Sequence, residues 1–433
     1  MEKINSLFGG VLLPVLLLSA GAFLSLRFGL FWMLHPLRTL RAMGKRGLRS
    51  LCLALAGTLG VGNITGVALA IAFGGAGAVF WMWISALAAM ALKYAEVALA
   101  LQTRTGKGAG AMYYLPVAYP GKTGRCLGGL YALLCLGTAL TMGSMVQSSA
   151  AASAMTGMFR TPPLLCGVVM AVLCFAVVLG GAKWIGNVTS VLIPLLTLVY
   201  IFVSIWIILR NAAALPEVFA RIIRGALSPA AMAGGAFGAA VRHGIARGVL
   251  SNEAGCGTSA MAHATAENTP AAQGIAGIAE VFVDTILLCT MTALVILLCF
   301  DPVPAEDGMT LALSAYGQTL GQFAGLFVGC SVVLFAFATV LCWAYYGLNS
   351  LAFFTARRGV QVVFLLLFCL SMAAGAAFTP TVVFGLCDLF LALLCFLNVP
   401  ALLRLSGRVP LPWARQKKAP SPTKPMEKAA LCK

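Results

Sequence analysis

Two glycine clusters have the chemistry best suited to binding a small ion or molecule. The first is residues 56–63 (AGTLGVGN), and the second is residues 234–240 (GGAFGAA). Glycines at this density interrupt a helix and leave backbone N–H and C=O groups without partners. Free N–H groups at a helix N-terminus suit a carboxylate, and free carbonyls suit a desolvated cation. A zwitterionic amino acid together with a cation would satisfy both kinds of group.

The composition shows what surrounds these clusters. The 433 residues are 61% hydrophobic and only 9% charged, and the mean hydropathy is +0.97. A soluble domain carries about 25% charged residues, so a soluble enzyme is excluded, and so is a nucleic-acid binder despite the net charge of +17. At about 20 apolar residues per span, we predict an all-α polytopic membrane protein with about eleven transmembrane helices. The predicted spans are residues 9–30, 50–73, 79–101, 127–150, 164–180, 184–209, 229–250, 274–300, 320–348, 360–378 and 382–403.

The positions of the glycine clusters suggest an internal symmetry. They lie five helices apart, on spans that run in opposite directions, which is the layout of a five-plus-five inverted repeat with two broken helices at the bilayer midplane. The alternative is close packing of small residues between helices. We predict a single transmembrane transporter domain over residues 1–405, followed by a disordered basic tail over 406–433. Within the domain, residues 1–45 form an extra first helix and basic loop, residues 50–210 form the first repeat, and residues 229–405 form the second.

The basic residues predict the orientation. Because cytoplasmic loops collect Lys and Arg, we place the N-terminus outside and the C-terminus in the cytoplasm, with the tail contacting anionic lipid. The first apolar run is followed by a strongly basic loop, so we interpret it as a retained helix and not a signal peptide. The residues assigned to the cytoplasmic side are Arg27, Arg38, Arg41, Lys45, Arg46, Arg49, Arg104, Lys107, Lys122, Arg125, Lys183, Arg242, Arg247, Arg357, Arg358 and the tail from Arg404.

A few ionisable side chains lie within the spans, where each is costly unless paired. Lys93 and Glu96 are three residues apart and can pair on one helix face, as a structural pair or as a gate. Glu280 and Asp284 share a face and can either relay protons or bond neighbouring helices. Glu253 can cap a short helix or latch an inner gate. The 14 cysteines show no CxxC pair, so we predict neither a metal cluster nor a disulfide framework.

Several short motifs follow one another along the chain. They are residues 60–68 (GVGNITGVA), 74–83 (GGAGAVFWMW), 93–96 (KYAE), 111–114 (AMYY), 246–248 (ARG), 251–255 (SNEAG), 262–264 (AHA), 280–285 (EVFVDT) and 334–337 (LFAF). Together they resemble the bacterial alanine/glycine:cation symporter family over roughly residues 10–405. The resemblance implies a LeuT-type fold in the bacterial inner membrane, and Na⁺-coupled import of alanine, glycine or a similar neutral amino acid by alternating access. It implies a transporter and not an enzyme, with Na⁺ as the co-transported ion and no organic cofactor.

The resemblance also implies two sets of site residues. The substrate would contact the second, fourth and seventh spans, and a Na⁺ would lie between backbone carbonyls of the second span and a hydroxyl of the ninth. The substrate residues are Thr58, Gly60, Val61, Gly62, Asn63, Gln147, Gly235, Phe237 and Gly238, and the Na⁺ ligands are the carbonyls of Ala56 and Leu59 and the hydroxyl of Thr339.

Departures from the family pattern keep alternatives open. The family usually has two adjacent threonines after Phe-Ala-Phe, and this chain has Ala338 and Thr339, so one candidate Na⁺ ligand is lost. In the last span Leu391 and Leu394 replace polar residues, which leaves Asp388 as the acidic group there. The alternatives are H⁺-coupled or uncoupled transport, a glutamine-sized substrate, and an amino-acid sensor built on a transporter fold. A monomer is expected, although the sequence does not determine the oligomeric state.

Overall fold

The chain forms a bundle of helices in the computed structural model, which describes residues 12–44, 47–227, 236–378 and 380–412. No β-strand occurs within those ranges. Up to residue 227 the helices are α1 (Leu13–Arg27), α2 (Phe31–Leu34), α3 (Pro36–Met43), α4 (Leu48–Thr58), α5 (Thr65–Gly74), α6 (Gly77–Thr103), α7 (Ala111–Ala118), α8 (Lys122–Phe159), α9 (Pro163–Leu179), α10 (Gly181–Arg210) and α11 (Leu215–Leu227). After residue 235 they are α12 (Ala236–Asn252), α13 (Ala260–His263), α14 (Pro270–Cys299), α15 (Gly308–Leu320), α16 (Phe323–Phe354), α17 (Arg358–Ala377) and α18 (Pro380–Leu405).

The helices agree with a polytopic membrane protein. Seven of those described are long and apolar enough to cross a bilayer, and the bent pair α4 and α5 supplies an eighth span. The shorter apolar helices α1 and α9 and the helix α12 match three further predicted runs. The all-α membrane class is therefore confirmed, whereas the count of about eleven spans stays a prediction.

The first predicted break is present. Helix α4 ends at Thr58, a 3₁₀ turn covers Val61–Asn63, and α5 continues at an angle of 67° to α4. The backbone N–H of Gly60 donates to Oδ1 of Asn63 at 3.0 Å, so it does not close the helical turn onto the Ala56 carbonyl. A side chain thus replaces a backbone bond at the point where the helix stops.

The second break lies later than the glycine cluster at 234–240 predicts. Within the described residues α12 runs without interruption from Ala236 to Asn252, and the chain then turns through residues 253–259 before α13. Three residues of this turn have positive φ, namely Glu253 (53°), Gly255 (90°) and Gly257 (79°). This conformation ends the helix there, and glycine adopts it without a Cβ penalty. The described part of the predicted cluster, residues 236–240, is therefore helical, the observed break lies more than three turns after it, and Gly235 lies outside the described residues.

Two glycines in the second half of α12 allow it to pack closely against another helix. A Cβ added to Gly244 would lie 2.4 Å from the Ala78 carbonyl oxygen, and one on Gly248 would lie 2.5 Å from Oγ of Ser85. Both neighbours belong to α6, so the two helices approach at backbone distance, as small-residue faces allow in membranes. This rigid pair places the end of α12 beside the first break.

Arg242 and Arg247 lie on α12 in the half of the bundle opposite to the basic loops. The Cβ position of Gly74, at the end of α5 that leads into α6, is 3.2 Å from Cβ of His243. In the predicted topology that end of α5 is extracellular, which conflicts with the predicted cytoplasmic side of these two arginines. Arg247 pairs with Asp388 of α18 at 3.6 Å. The orientation now depends on the other basic loops and stays a prediction.

Candidate substrate and cation site

The first break is held by side chains from two other helices. The hydroxyl of Thr339, on α16, donates to the Leu59 carbonyl at 3.1 Å. The backbone N–H of Val61 donates to Oε1 of Gln147, on α8, at 3.4 Å. Gly60 lies between them, because a Cβ there would be 2.8 Å from Oγ1 of Thr339 and 3.0 Å from Oε1 of Gln147. The structure thus brings together the residues that the resemblance selected on the second, fourth and ninth spans.

The end of α4 carries oxygen atoms suited to a hard cation. The Ala56 carbonyl is freed because the Gly60 N–H donates to Asn63, and the Leu59 carbonyl is next to the Thr339 hydroxyl. Thr339 also donates to the carbonyl of Phe335 at 3.0 Å, which orients its oxygen. Ala338 is buried beside it and contributes no oxygen. Three oxygens fall short of the six or so that hard cations take, so water or substrate would complete such a site.

Asn63 connects the break to α12 and α14. Its amide nitrogen donates to Oδ1 of Asp284 at 2.7 Å and to Oγ of Ser251 at 3.0 Å. The backbone carbonyl of Asn63 accepts a hydrogen bond from the Thr292 hydroxyl at 2.8 Å. The Cβ position of Gly62 is 3.3 Å from Cα of Ser251, so the end of α12 touches the first break.

The structure does not bring the predicted α12 residues to this break. Gly238 is exposed, and an added Cβ there would meet nothing within 4 Å. At 1.5 Å per residue, Gly238 lies about 20 Å along α12 from Ser251. The side chain of Phe237 and all of Gly235 lie outside the described part of the structure. The residues of this helix that reach the break are those just before its C-terminal end, because α12 is helical from Ala236 to Asn252.

A narrow void lies beside the break. It is closed on one side by Tyr200, whose hydroxyl bonds that of Thr292 at 2.7 Å and accepts from Tyr316 at 2.8 Å. Its empty volume is about 170 Å³, but it is too narrow at every point for a water molecule. No group as large as a water molecule fits in it as it stands, so the helices must separate before it can admit a substrate side chain. The lining residues are Leu59, Asn63, Ile64, Tyr200, Leu288 and Phe335.

Ser251, Asp284 and Tyr200 contact or line this region but were missed as site residues. Two of them lie in motifs that the resemblance uses, SNEAG and EVFVDT, which was the available signal. Asp284 lies in a π-helical segment of α14, Phe282–Cys289, and a second such segment of α8, Ala139–Val146, directly precedes Gln147. Such π segments are frequent at functional sites because they redirect side chains. Tyr200 carried no sequence signal.

A second polar cluster lies near the α12–α13 break. Nζ of Lys93 donates to Oγ of Ser259 at 2.6 Å and lies 3.5 Å from Oε1 of Glu280. Oε2 of Glu280 is 2.9 Å from Nε2 of His263, whose other ring nitrogen bonds Gln273. All five side chains are fully buried. The predicted Lys93–Glu96 pair is therefore wrong, because the Lys93 ammonium pairs across helices with Glu280.

Two further carboxylates link the α12–α13 break to other helices. Oε1 of Glu96 accepts from Nδ2 of Asn398, on α18, at 2.8 Å, and the same Nδ2 donates to the Gly255 carbonyl of the turn at 2.9 Å. Glu253 accepts from the hydroxyl of Thr258 at 2.5 Å and from Nε1 of Trp343, on α16, at 3.1 Å. These bonds fasten the turn between α12 and α13 to α6, α16 and α18.

Two broken helices that meet inside a bundle of apolar spans define a class, the transporters of the LeuT fold. The chain superposes on a manganese transporter of Eremococcus coleocola with a TM-score of 0.58 and 14% identity, over 83% of this chain and 78% of that one. It also superposes on MhsT in complex with L-phenylalanine with a TM-score of 0.53 and 15% identity, over 82% and 89% of the two chains. At these identities the likeness establishes the fold alone.

The sequence places the chain within that class. Residues 1–418 match the sodium:alanine symporter family, and the chain belongs to it. It is 35% identical to the sodium/alanine symporter AgcS of Methanococcus maripaludis, over 94% of this chain and 95% of the relative. It is 31% identical to the amino-acid carrier protein AlsT (93% and 89% covered) and 32% identical to the probable sodium/glutamine symporter GlnT (96% and 90%), both of Bacillus subtilis. The protein is therefore a membrane transporter and not an enzyme.

Proposed function

We propose that the protein imports alanine or glycine together with Na⁺ by alternating access. The observation that carries this proposal is the first break, where the Thr339 hydroxyl donates to the Leu59 carbonyl and Leu59 lines a narrow void. The names of AgcS and GlnT, which attach sodium and an amino acid to two relatives, support it.

The break provides for each part of a small amino acid. The N-terminus of α5, with the backbone N–H groups of Gly60 and Val61 once they leave Asn63 and Gln147, would take the carboxylate, because the helix dipole is positive there. The carbonyls of Ala56 and Leu59 with the Thr339 hydroxyl would take Na⁺. The void between Ile64 and Tyr200 would take the side chain once the helices separate.

The membrane potential makes such coupling sufficient for uptake. One cation moving down 100 mV releases about 2.3 kcal/mol. That energy sustains roughly fifty-fold accumulation of a neutral amino acid, since each 1.4 kcal/mol is tenfold. We further propose a bacterial inner-membrane location with a cytoplasmic C-terminus, one transporter domain over residues 1–405, and a monomer whose tail contacts anionic lipid.

Uptake of labelled alanine into proteoliposomes tests the proposal. We expect concentrative uptake with an inward Na⁺ gradient and little uptake with an equal K⁺ gradient, because the alanine gradient is built by Na⁺ entry. Uptake that is indifferent to Na⁺ would contradict the coupling. Alanine binding without flux would indicate the sensor alternative. If alanine is neither bound nor transported, it is excluded as the ligand.

Ala338 motivates the second candidate, transport coupled to H⁺ or uncoupled. It is buried and precedes Thr339 in the chain, at a place where the family resemblance expects a hydroxyl. We expect Ala338→Thr to lower the Na⁺ concentration for half-maximal uptake by roughly ten-fold, since a good oxygen ligand contributes about 1.5 kcal/mol. Ala338→Val, which fills the same space without a hydroxyl, is the control. An unchanged Na⁺ dependence in Ala338→Thr would count against a Na⁺ at this position.

A further inference from the structure

The N-terminal end of α4, opposite the first break, is joined to α14 through Gln273. The amide nitrogen of Gln273 donates to Oγ of Ser50, in the first turn of α4, at 2.8 Å. Its amide oxygen accepts from Nδ2 of Asn268 at 3.1 Å. A Cβ added to Gly47, just before α4, would lie 2.5 Å from that oxygen, so the backbone there lies directly against the amide. We call the side chains of Ser50, Asn268 and Gln273 the α4 latch.

A backbone hydrogen bond determines where the protons lie in the α4 latch. The N–H of Thr269 donates to Oδ1 of Asn268 at 2.9 Å, so the atom of Asn268 that faces Gln273 is its nitrogen. The facing atom of Gln273 is then its oxygen, and its nitrogen lies 2.7 Å from Nδ1 of His263. A ring nitrogen that accepts a hydrogen bond carries no proton. The network therefore assigns His263 as neutral, with its proton on Nε2, which donates to Oε2 of Glu280 at 2.9 Å.

A second proton on His263 is incompatible with this arrangement. Nδ1 would become a donor that faces the Gln273 nitrogen, so the amide must turn over to present its oxygen. The nitrogen of Gln273 would then face Nδ2 of Asn268, which is also a donor. Ser50 could bond the Gln273 oxygen only by giving up its present acceptor, the Gly47 carbonyl at 2.9 Å. Ser50 and Gln273 are buried, where an unpaired donor is costly, so the second proton weakens the latch.

We propose that a proton on His263 releases the α4 latch and thereby opens the bundle at its predicted cytoplasmic end. Helix α4 is the half of the broken helix that leads from that end to the first break, so its displacement gives the break access to solvent. The closed latch holds the neutral ring and the released latch accepts the proton, so acid favours the open form and alkali the closed form. This inference rests on the alternating access proposed above and not on the identity of the ion or the substrate.

The charges around His263 come from several packed elements. Glu280 of α14 favours the second proton, because its carboxylate is bonded to the ring. Lys93 of α6 opposes it, although its ammonium lies toward Glu280 and Ser259. Both ring nitrogens are taken by Glu280 and Gln273, so other groups act on the ring only through their charge. On the elements packed against α13 these are Glu96 of α6, Arg104 just after α6, Glu253 before α13, Arg49 and Cys52 of α4, and Tyr345 of α16.

Hydrogen–deuterium exchange of α4 in the purified full-length protein tests the proposal. After correction for the intrinsic pH dependence of amide exchange, we expect the peptide Leu48–Thr58 to lose protection between pH 8 and pH 6. The expected loss is about three- to ten-fold per pH unit, since uptake of one proton changes an equilibrium by at most ten-fold per unit. His263→Gln, which places a neutral polar side chain there, is expected to remove this dependence. His243→Gln makes the same change on α12 beside Phe73 and should keep it.

Gln273→Leu separates the α4 latch from other effects of the histidine. It removes the amide and leaves His263 able to titrate, so we expect faster exchange of α4 at both pH values, with little pH dependence. Wild-type protection in Gln273→Leu would overturn the proposal. So would a wild-type α4 whose protection is independent of pH, or a monodisperse His263→Gln protein that keeps the full pH dependence. These measurements need neither Na⁺ nor alanine, so such results would leave the proposed symport to be decided by the uptake assay.

Discussion

Gly60→Ala is expected to reduce alanine uptake by about 10- to 100-fold, because overpacking costs about 1–3 kcal/mol. The added methyl would lie 2.8 Å from Oγ1 of Thr339 and 3.0 Å from Oε1 of Gln147. The φ of Gly60 is −144°, which any residue adopts, so the effect comes from contact and not from backbone strain. The methyl would push Thr339 and Gln147 away from the break, and both the proposed Na⁺ position and the Val61 N–H bond would be lost. Initial rates in proteoliposomes over a range of Na⁺ concentrations measure the effect.

Gly66→Ala is the matched control for this prediction. It adds the same methyl at the second residue of α5, where the nearest atom, the Val61 carbonyl oxygen, is 3.9 Å away. That distance is an ordinary contact, so uptake close to wild type is expected. Alanine transport by Gly60→Ala with wild-type Na⁺ dependence would show that the contacts of Thr339 and Gln147 with the break do not form the substrate and Na⁺ site.

The sequence alone predicts the first break because the glycines and the break coincide. Residues 56–63 combine three glycines with an asparagine that caps its own turn, so the local chemistry is complete within one segment. Hydropathy predicts the membrane class for a similar reason, since the length of an apolar run fixes whether a helix can cross a bilayer. Gln147 and Thr339 required the resemblance, because their contact with the break joins residues far apart in sequence.

The second break shows what local composition leaves out. The glycine cluster at 234–240 and the turn at 253–259 both contain small residues, and helix packing uses such residues as often as helix breaks do. The turn at 253–259 differs from the glycine cluster because the two residues before it, Ser251 and Asn252, form hydrogen bonds with α14. Their partners, Asp284 and Thr285, lie 33 residues later in the sequence. A partner on another helix decides where α12 can end with its polar groups satisfied, and spacing along one helix does not reveal that partner.

Lys93 shows the same limitation for charges. Spacing predicts a bond to Glu96, because residues three apart share a helix face. The packing of α14 against α6 instead brings Glu280 to Lys93, and the Asn398 side chain takes Glu96. The helix register within the membrane, which the sequence does not give, determines which carboxylate compensates the ammonium.

Lys93→Met is expected to destabilise the protein by about 3–5 kcal/mol, the usual cost of removing one partner of a buried ion pair. Methionine keeps the length of the side chain and removes the charge, which leaves the fully buried Glu280 with only His263 and Ser259 as partners. A loss of this size is a large fraction of the 5–15 kcal/mol that a typical domain has. The fraction of monodisperse protein after heating in detergent measures it. Lys122→Met, at an exposed lysine where α8 begins, is the control and should melt within a degree or two of wild type.

The double variant Lys93→Met with Glu280→Gln separates charge compensation from general disruption of the core. Glutamine keeps the shape of Glu280 and its bonds to the hydroxyl of Ser259 and the ring of His263, while the uncompensated charge is gone. Replacing both members of a buried pair by neutral groups is often close to neutral for stability, so the double variant is expected to recover most of the lost melting temperature. If it melts as early as Lys93→Met alone, the cost comes from packing around position 93. If Lys93→Met itself melts like wild type, Glu280 does not carry a charge that Lys93 must balance.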